Sequence, residues 1–225
     1  MAPHVDLYIA RITETHDLKD SQENIANAIR TASSKWGCAI ISLSLGFKTG
    51  IPSIQRALDD AIKMNGVLVF AAASNDGANS GTAYPAKLSS VFCIYSTDSY
   101  GNPSLFNPSP TALNGDAFGI IGENVLGAWP SSPASRAVGD SLQRMSGSSI
   151  ATPIAAALVA CVLGLAFKWE AQNVIKLASY EGVRRVLFKM AVKRKEHLYL
   201  DPVSFFSRKE SNILEDVREV LDLRN

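Results

Sequence analysis

The chain has little of what several classes of protein require. Its 225 residues contain three cysteines, an odd number that does not fit the disulfide framework of a small secreted domain. An excess of charge of one sign is also lacking, because 22 Lys and Arg stand against 21 Asp and Glu for a net charge of +1. No global field therefore favours nucleic acid or an anionic membrane as a partner.

The beginning of the sequence lacks a charged segment followed by an apolar one, so no secretory signal is predicted. If Met1 is an internal methionine of a longer protein, this absence carries no information about secretion. Cys38, Cys93 and Cys161 lie in apolar surroundings and are predicted to be buried free thiols, which favours an intracellular location. The compartment is otherwise unknown from the sequence.

What is present is a pattern of apolar runs that alternate with segments of helical periodicity. Apolar residues make up 47% of the chain and charged residues 19%, as in a compact globular protein. The alternation is typical of parallel βαβ units. Strands are predicted at 5–12, 38–45, 67–73 and 91–95. Helices are predicted after a capping box of Asp20 and Glu23 and after a cap at Ser53.

The C-terminal part differs in pattern from the rest. A helix is predicted over 171–194, and an amphipathic helix is predicted from Ser211 onward.

The apolar run 150–167 is long enough to raise the prediction of a transmembrane helix. Thr152, Pro153 and a high content of Ala and Gly argue against that prediction. A helix that is apolar on all sides is also what the centre of an α/β fold requires, and this second interpretation is favoured.

The segment 147–153, with sequence GSSIATP, precedes this helix. A serine at the mouth of a buried helix suits a nucleophile, because free backbone N–H groups and the positive end of the helix dipole can stabilise a developing oxyanion. The same residues also suit an ordinary serine N-cap, and spacing alone favours the cap.

Five segments, in order, resemble those of the subtilisin-like serine peptidases (subtilases). GSSIATP resembles the nucleophile signature G-T-S-M-A-[ST]-P, and VLVFAAASNDG at 67–77 resembles V-V-A-A-G-N-x-G. The substrate-binding strand V-I-N-M-S-L-G is matched by IISLSLG at 40–46. YPA at 84–86 with VFCI at 91–94, and AP at 2–3 with LYIARI at 7–12, complete the match.

The resemblance implies a fold and a set of site residues. The expected fold is α/β, a subtilisin-like three-layer sandwich with a mainly parallel sheet, its N-terminal part missing. The resemblance fades beyond about residue 168, so a partial catalytic domain is expected over 1–168 and a helical extension over 169–225. Ser149 is then the nucleophile, and Asn75 is the side chain that donates to the oxyanion. Without the resemblance, Asn75 is an ordinary turn residue. An extended peptide substrate would be bound by Ser44, Leu45, Gly46, Ala73 and Ser74.

The departures from the family pattern concern the rest of the catalytic machinery. In the family a catalytic Asp and a catalytic His precede the A-P-x-A segment, and neither of their motifs occurs in this sequence. Ile154 stands where most members carry His, Ser148 replaces Thr, and Ser74 replaces the Gly before the oxyanion Asn. None of the three histidines, His4, His16 and His197, has the family's sequence context for a general base.

The expected function is that of a serine endopeptidase domain that acts through an acyl-enzyme, truncated so that the catalytic Asp and His are absent. The alternative is a non-catalytic pseudo-peptidase module that binds extended peptides. The partners expected are a polypeptide substrate and further domains of a longer parent chain, with neither nucleic acid nor a membrane. No cofactor or metal site is expected, and no loop rich in Asp and Glu indicates the structural calcium of many subtilases.

Overall fold

A computed structural model describes residues 2–14, 18, 20–110, 116–129, 142–170 and 174–222. Six strands form one sheet in the order β1-β2-β3-β4-β8-β7, and β5 with β6 forms a separate antiparallel ribbon. The strands are β1 (Ile40–Leu43), β2 (Leu68–Ala72), β3 (Phe92–Thr97), β4 (Phe118–Ile121), β5 (Val125–Ala128), β6 (Leu142–Met145), β7 (Ala191–Arg194) and β8 (His197–Leu200). Only β7 pairs antiparallel within the large sheet.

Helices cover both faces of this sheet. They are α1 (Gln22–Arg30), continued by a π-helical turn (Thr31–Lys35), α2 (Pro52–Lys63), α3 (Ser148–Glu170), α4 (Val174–Leu177), α5 (Tyr180–Met190), α6 (Pro202–Phe206) and α7 (Glu210–Asp222). Strand residues alternate between two cores: Val69 packs with α1 and α2, whereas Phe70 packs with α3, α5 and α7. A sheet buried on both faces explains why its strands are continuous apolar runs. The predicted three-layer α/β architecture is confirmed.

Helix α3 is the apolar run that the sequence places at the centre of the fold. The stretch Ser148–Lys168 has a mean hydropathy of 2.3 and is long enough to cross a membrane, but half of its most apolar window is buried inside the protein. Ala151, Ala155 and Val159 pack in the core against the sheet. This packing supports the interpretation as a core helix.

The predicted strand at 5–12 is wrong, because this segment forms no ladder with any described residue. Leu7 and Ile9 are 79% and 82% exposed. Tyr8 stacks on Trp36 at 5.2 Å, and the carbonyl of Ile12 accepts from Asn24. Apolar sequence alone does not make a strand when no neighbouring backbone supplies hydrogen bonds.

Both predicted helix caps are also wrong. Helix α1 begins after Ser21 without a side-chain capping bond, and Glu23 pairs instead with Arg30. Helix α2 begins at Pro52, one residue before the predicted cap at Ser53, because proline fits the first helical turn, where its missing N–H is not needed.

The predicted helix at 171–194 does not run to its end. The described part of this range comprises α4 and α5. From Ala191 the chain forms the hairpin β7–β8, which the sequence pattern does not predict. Strand β8 pairs in parallel with β4. The helix predicted from Ser211 is confirmed as α7. Strand β4 and the ribbon β5–β6 are likewise absent from the predicted strands.

Candidate active site

Helix α3 begins at the carboxyl edge of the parallel strands, and the turn before it is built on two glycines. Gly147 donates its N–H to the carbonyl of Gly122, directly after β4, at 2.8 Å. A Cβ on Gly122 would lie 2.8 Å from the carbonyl oxygen of Gly147, so only glycine permits this approach. The contact sets the first turn of α3, with Ser149 at its second position, against the end of the sheet.

The buried Ser148 fastens this turn to the loop that follows β2. Its N–H donates to Oδ1 of Asn75 at 2.7 Å, and its hydroxyl donates to the carbonyl of Ser74 at 3.1 Å. Two residues distant in sequence from the helix are thus held at its N-terminus.

These bonds bring Asn75 and Ser149 together. With its Oδ1 occupied by Ser148, Asn75 has its amide nitrogen left to donate. A Cβ placed on Gly147 would lie 2.9 Å from Oγ of Ser149 and 3.1 Å from Nδ2 of Asn75. The hydroxyl and the amide N–H₂ therefore face one small volume, which the absence of a side chain at 147 leaves open.

A third contact at this edge comes from the end of β1. Pro153 lacks an N–H, so the carbonyl of Ser149 has no helical partner four residues on. The hydroxyl of Ser44 donates to that carbonyl at 2.7 Å. The sequence analysis does not predict this contact. The proline of the motif nevertheless indicates it, because the carbonyl four residues before a helical proline needs a donor from outside the helix.

The remaining residues predicted to bind substrate differ in accessibility. Ser44 and Gly46 are exposed, and Leu45 is half-buried against the core. Ala73 is fully buried, its N–H bonded to Ile94 and its carbonyl to Ala83. Ser74 is half-buried beside Asn75. The open backbone at this edge is therefore that of Ser44 and Gly46.

Neither of the two histidines that the structure describes lies at Ser149. His4 is in the exposed N-terminal segment. His197 is 7% exposed and meets the ring of Tyr95 edge-on at 4.9 Å. Neither of its ring nitrogens has a hydrogen-bond partner among the described residues. The next residue, Leu198, pairs with Phe118 on β4. Phe118 lies four residues before Gly122, which corresponds to roughly 13 Å along the strand. His197 is therefore well removed from the edge of the sheet where Ser149 lies. The third histidine, His16, lies outside the described residues.

Burial lowers the pKa of His197 below its usual value, and the nearby Glu196 carboxylate only partly opposes this effect. The burial of His197 and its distance from Ser149 argue against its acting as the base for that hydroxyl. In the part of the chain that the structure describes, no cluster of three His, Cys, Asp or Glu side chains has the arrangement of a metal site.

Comparison with known proteins identifies the class to which this fold and site belong. The sequence matches the model of the Subtilase family over residues 1–204, and the chain belongs to that family. It is 30% identical over 179 residues to the subtilisin-like protease het-Q2 of Podospora anserina, covering 76% of this chain and 46% of the relative. It is 28% identical over 166 residues to subtilisin DY of Bacillus licheniformis, covering 72% and 56% respectively.

Among solved structures, the prenylagaramide maturation protease PagA superposes with a TM-score of 0.71 at 25% identity, covering 93% of this chain and 71% of PagA. The predicted subtilisin-like fold is thus confirmed. The chain spans about half the length of the curated relatives that it matches.

Proposed function

We propose that this subtilase domain carries the nucleophile and the oxyanion hole of a serine endopeptidase. Ser149 Oγ would attack the carbonyl carbon of a peptide bond, its proton passing to a base. The carbonyl oxygen, now negative, would accept from Nδ2 of Asn75 and from the N–H of Ser149. The base returns the proton to the peptide nitrogen as this intermediate collapses, which releases the amine and leaves an acyl-enzyme that water hydrolyses.

The observation that carries this proposal is the shared volume between Asn75 and Ser149. Oγ of Ser149 and Nδ2 of Asn75 lie 2.9 Å and 3.1 Å from one point. An attacking oxygen and an oxyanion donor must reach the same carbonyl group, so this spacing suits the reaction. The exposed backbone of Ser44 and Gly46 would pair with an extended substrate as an added strand.

We assign the role of general base to no residue of this chain. Its sequence has no counterpart of the family's Asp and His motifs, and His197 is buried away from the edge where Ser149 lies. Without a base, the Ser149 hydroxyl stays protonated and is a weak nucleophile. We therefore expect residues 1–225 alone to hydrolyse peptides feebly, and a complete site to need a base from elsewhere.

A second candidate is a pseudo-peptidase that binds extended peptides without cleaving them. The burial of His197 away from Ser149 and the exposed backbone of Ser44 and Gly46 favour it. Both candidates predict peptide binding, but only the first predicts that Ser149 can be acylated.

The two are separated by labelling residues 1–225 with a fluorophosphonate probe and locating the adduct by mass spectrometry. The peptidase proposal expects slow labelling of Ser149 that is lost in Ser149→Ala. Peptide binding without any adduct on Ser149 at long incubation would favour the binding module.

A further inference from the structure

The loop that presents Asn75 has a backbone conformation that is unusual for its sequence. Ser74 has a φ of +142°, in the region that favours glycine because a Cβ crowds the backbone there. The family motif has glycine at this position, whereas this chain has serine. Some other interaction must therefore hold Ser74 in place.

That interaction is a reciprocal pair of hydrogen bonds across Asn75. The hydroxyl of Ser74 donates to Oδ2 of Asp76 at 2.9 Å and accepts from the N–H of Asp76 at 3.2 Å. The bond to the carboxylate is charge-assisted, a stronger kind than a bond between neutral groups. The carbonyl of Ser74 is held separately by the hydroxyl of Ser148.

Asn75 lies between the two residues that these bonds join. Its Oδ1 accepts from the N–H of Ser148, and this bond turns its Nδ2 toward the volume beside Ser149. If the loop relaxed, the backbone of Asn75 would rotate and its amide would leave that volume.

We propose that the Ser74 hydroxyl and the Asp76 carboxylate form a clamp that positions the amide of Asn75. Ser74 is on this account a positioning residue for the oxyanion hole, and Asp76 is its partner. The inference rests on the proposed function for its catalytic meaning, but the clamp itself is a structural property. The clamp is needed because the Cβ of residue 74 disfavours the backbone conformation found there. With glycine at position 74, the clamp should be dispensable.

The test is amide hydrogen exchange by NMR on residues 1–225, read at the Ser148 N–H that binds Asn75. In Ser74→Ala and in Asp76→Ala this exchange should become about tenfold faster, as expected for the loss of a charge-assisted bond. In Ser74→Gly it should stay near the wild-type rate. In the double variant Ser74→Gly/Asp76→Ala it should also stay there, because the Asp76 change matters only when residue 74 has a Cβ.

Ser80→Ala is the matched control, since its hydroxyl donates to the backbone carbonyl of Asp76 and not to the Asp76 carboxylate that forms the clamp. Its exchange at Ser148 should not change. If Ser74→Ala does not fold, Asp76→Ala reports on the same clamp from the other side. Exchange that is as fast in Ser74→Gly as in Asp76→Ala, or unchanged in Asp76→Ala, would overturn the proposal.

The same measurements in a Ser149→Ala background separate this inference from the proposed function. The clamp predicts the same exchange differences there, because no step of it involves the Ser149 hydroxyl. Failure of Ser149 to be acylated would refute the peptidase proposal and leave these differences standing.

Discussion

At the scale of single residues, position 147 imposes two requirements that only glycine satisfies. Its φ of +155° lies in the region that side chains disfavour, and an added Cβ would stand 2.9 Å from Oγ of Ser149. We expect Gly147→Ala to lower the free energy of unfolding by about 1–3 kcal/mol and to fill the volume that we propose for the oxyanion. Urea unfolding and probe labelling measure the two effects.

Gly81→Ala is the control for Gly147→Ala, because a Cβ on Gly81 meets no atom within 4 Å. It should change the free energy of unfolding by less than about 0.5 kcal/mol, as is usual for surface substitutions. If Gly147→Ala labelled at the wild-type rate, the oxyanion volume would not be where we place it.

His197 gives the domain a pH dependence of stability. Burial lowers its pKa in the folded state, so the unfolded chain takes up a proton first as the pH falls. The contribution of neutral His197 to the free energy of unfolding is fully present at pH values above the unfolded pKa of about 6.5. It is lost as the pH falls from about 6.5 through the lower pKa of the folded state. We expect the free energy of unfolding to fall over this window.

Urea unfolding at pH 7.5 and 5 measures this fall, with His197→Phe to remove the titrating group and keep a ring against Tyr95. The variant should show a smaller fall than the wild type. His4→Gln, which changes an exposed histidine, should leave the fall intact. An equal fall in wild type and His197→Phe would assign the effect to other groups.

At the scale of elements, a side-chain hydrogen bond joins the first turn of α3 to Ser44, the residue that follows β1. Pro153 frees the carbonyl of Ser149, and Ser44 satisfies it at 2.7 Å. Ser44→Ala should lower the free energy of unfolding by about 1 kcal/mol and slow the labelling of Ser149.

Ser44→Thr keeps the hydroxyl and should regain most of the stability and of the labelling rate that Ser44→Ala loses. Ser42→Ala, on the exposed side of β1, is the control and should behave as the wild type. Loss of stability in Ser44→Thr equal to that in Ser44→Ala would mean that the hydroxyl bond is not the cause.

At the scale of the whole molecule, the sequence predicts the layered architecture because burial on both faces leaves a plain signal. Strands β1, β2 and β3 are near-continuous apolar runs, and the structure has each within the predicted range or within two residues of it. The four-residue β4 gives no such signal between polar loops. The segment 5–12 has the composition of a strand but no partner among the described residues, and composition does not report partners.

The convergence of the two proposed site residues was predictable to the extent that topology determines it. Loops at the carboxyl ends of parallel strands meet at one edge, which is why residues as distant as Asn75 and Ser149 converge. The Ser44 contact and the Ser74–Asp76 clamp depend on side-chain directions that spacing does not encode. The burial of Ala73 likewise follows from its pairing with Ala83 and Ile94, which the motif does not reveal.

The most direct test of the account is chemical rescue of the missing base by imidazole. If Ser149 and Asn75 form a competent but base-free site, an activated ester should acylate residues 1–225 slowly, and added imidazole should accelerate acylation of Ser149. The acceleration should vanish in Ser149→Ala. It should fall by roughly 10²–10³-fold in Asn75→Ala, a magnitude carried over from subtilisin. Fast acylation of Ser149 without imidazole, or rescue that survives Ser149→Ala, would contradict the account.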